Sequence, residues 1–414
     1  MGDLVATRLR PTDLAEAAPR LWDEGHAVLP LDPGAPPTVI RQITAALRPT
    51  HILDADGLQS LPDGVPVDDD VVAVVATSGT TGSERAVGDS EAEAAGDWTG
   101  KGVELTRSGM EDGARAYCEA LGADSSDRWL GCLPMHHVAG LAVIPRSRFT
   151  GIPLTVLDRF DIGAVARAPS IHGASLVLLV PTMLHRLLDA GAALREYRWV
   201  LVGAGPLPAA LRTRCADEQV RVLNTYGMTE AWGGVAFDGV PIGGIDVTVA
   251  ADGEILVRGP LLMKGYRLRP DLTAAAFDDD GWYHTGDIGE LNGGRLTVTD
   301  RRVDIVKSGG VSVSPTAVEH VLAQHSGVKD VVVVGRDDPE WGERVVACVV
   351  PVDPASPPTL DDLRAFARDH LTASHLPREV QIVAEIPRSA SGKAQRRAIR
   401  ATLHDSKRSI SGSP

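Results

Sequence analysis

The chain has 414 residues, 43% hydrophobic and 23% charged, which fits a folded protein of two or three domains at roughly 150 residues each. Its 41 basic side chains are outweighed by 55 acidic ones, and the formal net charge of −14 argues against nonspecific nucleic-acid binding. The four cysteines (Cys118, Cys132, Cys215, Cys348) form no C-x-x-C pair. No apolar run approaches the ~18 residues of a membrane span, and MGDLVATRLR mixes charges into its apolar positions and lacks a signal-peptide h-region. The expectation is a cytoplasmic, soluble protein with reduced thiols and neither nucleic-acid nor membrane partners.

Residues 1–70 alternate two helical stretches, DLAEAAPRLW and TVIRQITAAL, with Pro and Gly breaks. Val71 to Ala76 (VVAVVA) is a short β-branched run, the mark of a strand buried on both faces of a parallel sheet. Residues 83–100, SERAVGDSEAEAAGDWTG, are acidic, Gly-rich and aperiodic, and read as a surface insertion. SLVLLV (175–180) and RWVLVGAG (198–205) are further buried strands beside helical sequence, a pattern that specifies an α/β body.

Beyond about residue 240 the pattern changes. IDVTVAADGEILVRG and GELNGGRLTVTD alternate apolar and polar residues around Asp252-Gly253 and Asn292-Gly293, as antiparallel hairpins of a small β-rich subdomain do. A second body opens near Asp300. SPTAVEHVLAQH predicts a helix with Ser314 as N-cap and Pro315 at its first position. VVVVG and RVVACVVPV follow as strands and TLDDLRAFARDHL as a helix. The expected organisation is an α/β N-terminal domain with parallel sheets (1–299), a small α+β C-terminal domain (300–405) and a polar tail (406–414).

The strand at Val71–Ala76 runs straight into Thr77-Ser78-Gly79-Thr80-Thr81-Gly82. Glycines let backbone N–H groups approach a phosphate, hydroxyls add donors, and ligands of α/β sheets bind beyond strand carboxyl ends. The G-x-x-x-x-G-K-[ST] spacing is absent, so this is no Walker A loop. Alone, a Ser/Thr/Gly loop is more often a turn than a nucleotide site. It has company, however. NTYGMTE (224–230) gathers an aromatic ring, a hydroxyl and a carboxylate, and WYHTGD (282–287) sets an Asp beside a Gly turn. DRRVD (300–304) and PRSASGK (387–393) follow.

Read in order, TSGTTG, GAGPLP, NTYGMTE, YHTGDIGEL, DRRVDIVKSGG and PRSASGK resemble the core motifs of the adenylate-forming superfamily. Acyl-CoA synthetases, the adenylation domains of peptide synthetases and beetle luciferases belong to it. The resemblance runs from about Val71 to Arg397. CLPMHHVAGLAVIPRS and DRRVDIVKSGGVSVSP, with only about 70 residues before the first motif, look most like the o-succinylbenzoate–CoA ligases of menaquinone biosynthesis, especially short actinobacterial forms.

The resemblance implies a two-step reaction with ATP, Mg²⁺ and coenzyme A: a carboxylate attacks the α-phosphorus of ATP, and the CoA thiol then displaces AMP. It also implies a C-terminal domain that rotates between the steps, a small-molecule carboxylic acid as substrate, and a homodimer. By the same resemblance, Thr77, Ser78, Gly79, Thr80, Thr81 and Gly82 cradle the departing pyrophosphate. Tyr226 and Gly227 meet the adenine and the acyl group, and Gly203, Ala204, Gly205 and Pro206 form the opposite wall. Thr229 holds the α-phosphate and Glu230 the Mg²⁺, a hard cation that favours carboxylate and phosphate oxygens. Asp287 accepts from the ribose hydroxyls, with Arg301 in support. Lys393 bridges the attacking carboxylate and the α-phosphate. Ser308, Gly309 and Gly310 leave room for pantetheine. His137 lines the acyl pocket, although a histidine among apolar neighbours is more often a core residue. Arg146 stands between a partner for the benzoate carboxylate and an ordinary surface arginine.

Two departures stand out. Gly82 is followed by Ser83-Glu84-Arg85-Ala86-Val87, where relatives carry Pro and Lys, whereas Gly100-Lys101-Gly102-Val103 resembles the end of the usual loop. An acidic insertion of about 17 residues then splits the motif, leaving Lys101 as its lysine and Arg85 as the competing assignment. Val303 occupies the hinge position where relatives often have Asp or Lys. Three other readings share these motifs: another aryl or short acyl-CoA synthetase, a stand-alone adenylation domain that loads a carrier protein, and a catalytically weak paralogue. Thr229, Glu230, Asp287, Arg301 and Lys393 are all present, which argues against the last.

Overall fold

The computed structural model describes residues 1–77, 100–205, 207–308, 311–388, 394–396, 398–400 and 402–403. Ser78–Gly82, Pro206, Gly309, Gly310, Lys393, nearly all of the insertion and the polar tail lie outside the described residues. The chain divides into two compact units, one of residues 1–250, 256–285 and 291–296 and the other of 251–255, 286–290 and 297–414. No described helix is long and apolar enough to cross a membrane.

The larger unit holds two seven-stranded sheets. Both are mixed rather than purely parallel. In the first, Val71–Thr77 is parallel to Ala27–Pro30 on one side (Val28↔Ala73) and antiparallel to Lys101–Thr106 on the other. The apolar run does mark a strand buried over its first five residues. Its composition could not reveal the antiparallel neighbour, because burial on both faces looks the same for either direction. The second sheet is parallel through Trp129–Gly131, Leu154–Val156, Leu176–Leu179, Trp199–Val202 and Val222–Tyr226, and ends in two short antiparallel strands. Four-residue strands at Leu4–Thr7, Ala27–Pro30, His51–Asp54 and Gly57–Ser60 extend the first sheet without having been anticipated. They are too short to show a period of two above the noise of an Ala- and Val-rich chain.

The predicted helices form at Pro11–Asp23 and Pro37–Leu47, each started by proline at its first turn, where a missing N–H costs nothing. The predicted hairpins also form. Asp246–Val249 turns into Glu254–Arg258, and Tyr283–Asn292 into Arg295–Arg301. The second turn falls on Gly293-Gly294, at φ +58° and +76°, one residue later than expected, because a two-residue primed turn needs positive φ at both positions.

In the smaller unit a five-stranded sheet is dominated by the antiparallel pair Val328–Asp338 and Gly342–Pro351. Pro315–Leu322 and Leu360–Ala367 pack their apolar sides into its core. Ser314 caps the first helix through the Ala317 N–H, and Thr359 with Asp362 forms a full capping box on the second.

One buried side chain ties distant parts of the larger unit together. Arg267, 3% exposed, donates to the carbonyls of Leu47, Arg48 and Val65 and to the Glu104 carboxylate at 3.2 Å. Arg267→Met leaves Glu104 and three carbonyls without their partner, so urea unfolding should show a loss of about 3 kcal/mol. Arg267→Lys should recover less than half of it, because an ammonium lacks the planar fork.

Candidate active site

Strand pairing in the first sheet sets the end of Val71–Thr77 against the start of Lys101–Thr106. Thr77 lies opposite Lys101 and Ala76 opposite Gly102. The Thr77 hydroxyl donates to the Lys101 carbonyl at 3.2 Å. Lys101 therefore emerges beside the last residue of the strand that feeds the Ser/Thr/Gly loop, although 24 positions separate it from Thr77 in sequence. Its ammonium sits over the ring of Tyr266, 4.4 Å from the centroid. Burial lowers the Lys101 pKa, and the nearby Glu230 carboxylate partly restores it. Arg85 lies outside the described residues.

Glu230 is 4% exposed and belongs to a single 3₁₀ turn, Thr229–Ala231, just past the parallel strand Val222–Tyr226. That sharp turn depends on Gly227, where a Cβ would fall on the Gly233 carbonyl. Glu230 accepts from the Tyr266 hydroxyl at 3.0 Å, and the Tyr283 hydroxyl lies 3.1 Å from that of Tyr266. Burial first, and Glu230 second, push the Tyr283 phenol well above its ordinary range, so it stays protonated. No cluster of three or more His, Cys, Asp or Glu side chains able to hold a metal occurs among the described residues. A lone buried carboxylate nonetheless fits Mg²⁺, which is commonly held by one or two protein carboxylates together with substrate phosphates.

Gly203 follows the strand Trp199–Val202, which lies alongside Val222–Tyr226 in parallel register (Val202↔Asn224). The Gly203-Ala204-Gly205 wall and Tyr226 thus leave neighbouring strands at their carboxyl ends, where open α/β sheets bind ligands. A Cβ at Gly203 would collide with the Thr225 hydroxyl, and Ala204 takes φ +64°, a strained conformation of the kind that clusters at ligand sites.

Arg146 is no surface arginine. It is 2% exposed on the helix Val143–Thr150, and its guanidinium carbon lies 3.4 Å from the centroid of the Tyr117 ring and 5.8 Å from that of Trp129. Its Nη1 has no hydrogen-bond partner among the described residues, nor do the buried Tyr117 hydroxyl and Trp129 indole N–H. A cavity of about 10 Å³, room for one water, opens against Arg146, Trp129 and Gly140. His137 precedes the short helix Val138–Leu141, with its ring 4.3 Å from that of His136. Burial lowers the His136 pKa.

Asp287, Arg301 and Ser308 belong to the smaller unit. Asp287 is 4% exposed and accepts from the Arg301 Nε at 3.0 Å in an ion pair. The preceding Gly286, at φ +69°, donates its N–H to Glu254 at 2.9 Å. Ser308 ends the strand Val306–Ser308 with its hydroxyl buried and without a hydrogen-bond partner among the described residues. Both flanks of Lys393 are pinned. Arg388 meets both Asp330 oxygens at 2.9 Å, and Arg396 meets both Glu319 oxygens at 2.7 and 2.8 Å. An antiparallel bridge joins Arg388 to Ala394. Neither pair, nor Tyr266, was anticipated. The arginines carry no local signal of their distant partners, and KGYRLRP offers no spacing that marks its tyrosine.

The AMP-binding enzyme family matches residues 58–267, and the AMP-binding enzyme C-terminal domain matches 317–393. The chain belongs to the AMP-binding enzyme family. It is 38% identical over 357 residues to a probable 2-succinylbenzoate–CoA ligase of Mycobacterium tuberculosis, covering 83% of this chain and 87% of the relative. Its fold matches o-succinylbenzoate CoA synthetase of Bacillus subtilis in complex with the acyl-adenylate intermediate, with a TM-score of 0.81, 26% identity and coverage of 96% of this chain and 88% of the other. The same enzyme in complex with ATP and magnesium ion gives a TM-score of 0.80 at 26% identity, covering 96% and 89%.

The buried position of Lys101 has a pH signature. Its ammonium exists below its pKa and is lost as pH rises through it, and burial brings that point below the ordinary lysine value of about 10.4. Calorimetric titration with ATP should therefore show affinity falling on an alkaline limb, and Lys101→Arg should move that limb upward.

Proposed function

We propose that this protein is an ATP- and Mg²⁺-dependent 2-succinylbenzoate–CoA ligase acting in the cytoplasm. The succinyl carboxylate attacks the α-phosphorus of ATP and expels pyrophosphate. The CoA thiol then attacks the acyl carbon and expels AMP. Membership of the family and the named relatives support the chemistry. The choice of acid rests on Arg146.

A buried guanidinium with an unpaired nitrogen costs several kcal/mol unless an anion meets it. 2-Succinylbenzoate brings a second carboxylate that takes no part in the reaction, and that group offsets the charge directly or through one water. A monocarboxylic acid has nothing to offer there.

Most catalysis of this kind comes from positioning and from balancing the charge on the phosphates. Lys101, the amides of Gly79 and Gly82, and the hydroxyls of Thr77, Ser78, Thr80 and Thr81 take the β- and γ-phosphates. Glu230 holds the Mg²⁺, which draws charge from the phosphates when bound, and Thr229 takes the α-phosphate. Tyr226 and Gly227 pack on the adenine against Gly203, Ala204, Gly205 and Pro206. Asp287 accepts from the ribose hydroxyls, work suited to a group that accepts without donating, and Arg301 pairs with it. Lys393 bridges the two reacting oxygens, with Arg388 and Arg396 anchoring its segment. His137 lines the acyl pocket, and Ser308, Gly309 and Gly310 the pantetheine path.

A coupled AMP-release assay tests this reading. Turnover should require CoA and 2-succinylbenzoate, with benzoate and short fatty acids inactive. Lys393→Ala should lower it by orders of magnitude while ATP binding changes little. The analogue lacking the ring carboxylate, 4-oxo-4-phenylbutanoate, should be rejected about 100-fold in kcat/KM. Arg146→Met should cut that discrimination below about tenfold. Unchanged discrimination in Arg146→Met removes the arginine from substrate recognition.

A further inference from the structure

Three elements of the larger unit converge on Tyr266. Its two-residue strand pairs antiparallel with Lys101–Thr106 through Gly265↔Glu104 and Tyr266↔Val103. Its backbone N–H is held by the Thr273 hydroxyl at 2.8 Å, and the residue is 5% exposed. One face of the ring carries the Lys101 ammonium at 4.4 Å, while the hydroxyl donates to Glu230 at 3.0 Å. The Tyr283 hydroxyl, 3.1 Å away, supplies a second phenol beside the first.

A lysine and a carboxylate buried in one low-dielectric neighbourhood attract strongly and, left free, close into an ion pair. The field of Glu230 does reach Lys101. Yet among the described residues no ion pair within 4 Å joins them: the ammonium lies over the face of the phenol ring and the carboxylate meets its hydroxyl. An aromatic ring suits this place. Its face accepts a cation, its hydroxyl donates to an anion, and its rigid plane fixes the spacing.

We propose that Tyr266 is a positioning residue that keeps Lys101 and Glu230 from neutralising each other, holding the lysine for the triphosphate and the carboxylate for the metal ion that accompanies it. The proposal rests on the assignment of those two residues made above.

The test is calorimetric binding of a non-hydrolysable ATP analogue to the full chain, in EDTA and in Mg²⁺, with Mn²⁺ paramagnetic resonance as an independent readout of the bound metal. The Kd in EDTA reads the lysine, and the ratio of the two Kd values reads the coupling to the metal. Tyr266→Phe keeps the ring and loses the hydroxyl. Its EDTA Kd should stay within about twofold of the parent while the metal coupling falls about tenfold, and the Mn²⁺ signal of the complex should weaken in parallel. Tyr266→Leu loses both contacts, so its EDTA Kd should also rise about tenfold as Lys101 closes on Glu230. Combining Tyr266→Leu with Glu230→Gln should restore the EDTA Kd, a recovery that a merely structural tyrosine would not produce. Undiminished metal coupling in Tyr266→Phe, beside a Glu230→Gln variant that loses it, overturns the role of Tyr266. Undiminished coupling in Glu230→Gln overturns the metal assignment on which the proposal stands.

Discussion

The positions of Lys101 and Tyr266 depend on the antiparallel register between Val71–Thr77 and Lys101–Thr106. The register places Lys101 across from Thr77, whatever the composition of the chain between them. Closing a longer loop costs only about 0.6 kcal/mol for each doubling of its length. The ladder of backbone hydrogen bonds on either side outweighs that easily. Residues 78–100 therefore separate Thr77 from Lys101 in sequence while the register keeps the two opposite each other. The same ladder continues into Gly265–Tyr266, so one sheet edge supplies both the lysine and the ring beneath it.

Buried charge organises the rest. Arg267 meets three carbonyls and a carboxylate, Asp287 meets Arg301, and Glu319 meets Arg396 and the Val333 N–H. In each case the cost of leaving water is offset by partners within the protein. Arg146 is held differently, against the rings of Tyr117 and Trp129, with its Nη1 unpartnered among the described residues.

Local rules carried a good part of this structure. The Val71–Thr77 strand, the proline-started helices, the Ser314 cap and both hairpins follow from composition and short spacings. Sheet direction did not, since a strand buried on both faces has the same sequence in either orientation. The four-residue strands near the N-terminus escaped because four residues hold too little pattern. The site was legible where its residues sit in dense motifs, as in Asn224–Glu230. It was illegible where function depends on contacts across the fold. Tyr266 is bound to Glu230 and Lys101 over separations that no spacing encodes, and the burial of Arg146 could not be told from its neighbours in sequence.

In the proposed site strand pairing, and not the residues next to Gly82, supplies the cation of the phosphate loop. Comparing ATP affinity in Lys101→Ala and Arg85→Ala tests it most directly. Lys101→Ala should weaken binding about 100-fold, as expected for a lost charge-assisted contact of about 3 kcal/mol, and Arg85→Ala should bind ATP as the parent does. The reverse outcome, with Arg85→Ala crippled and Lys101→Ala intact, would contradict it.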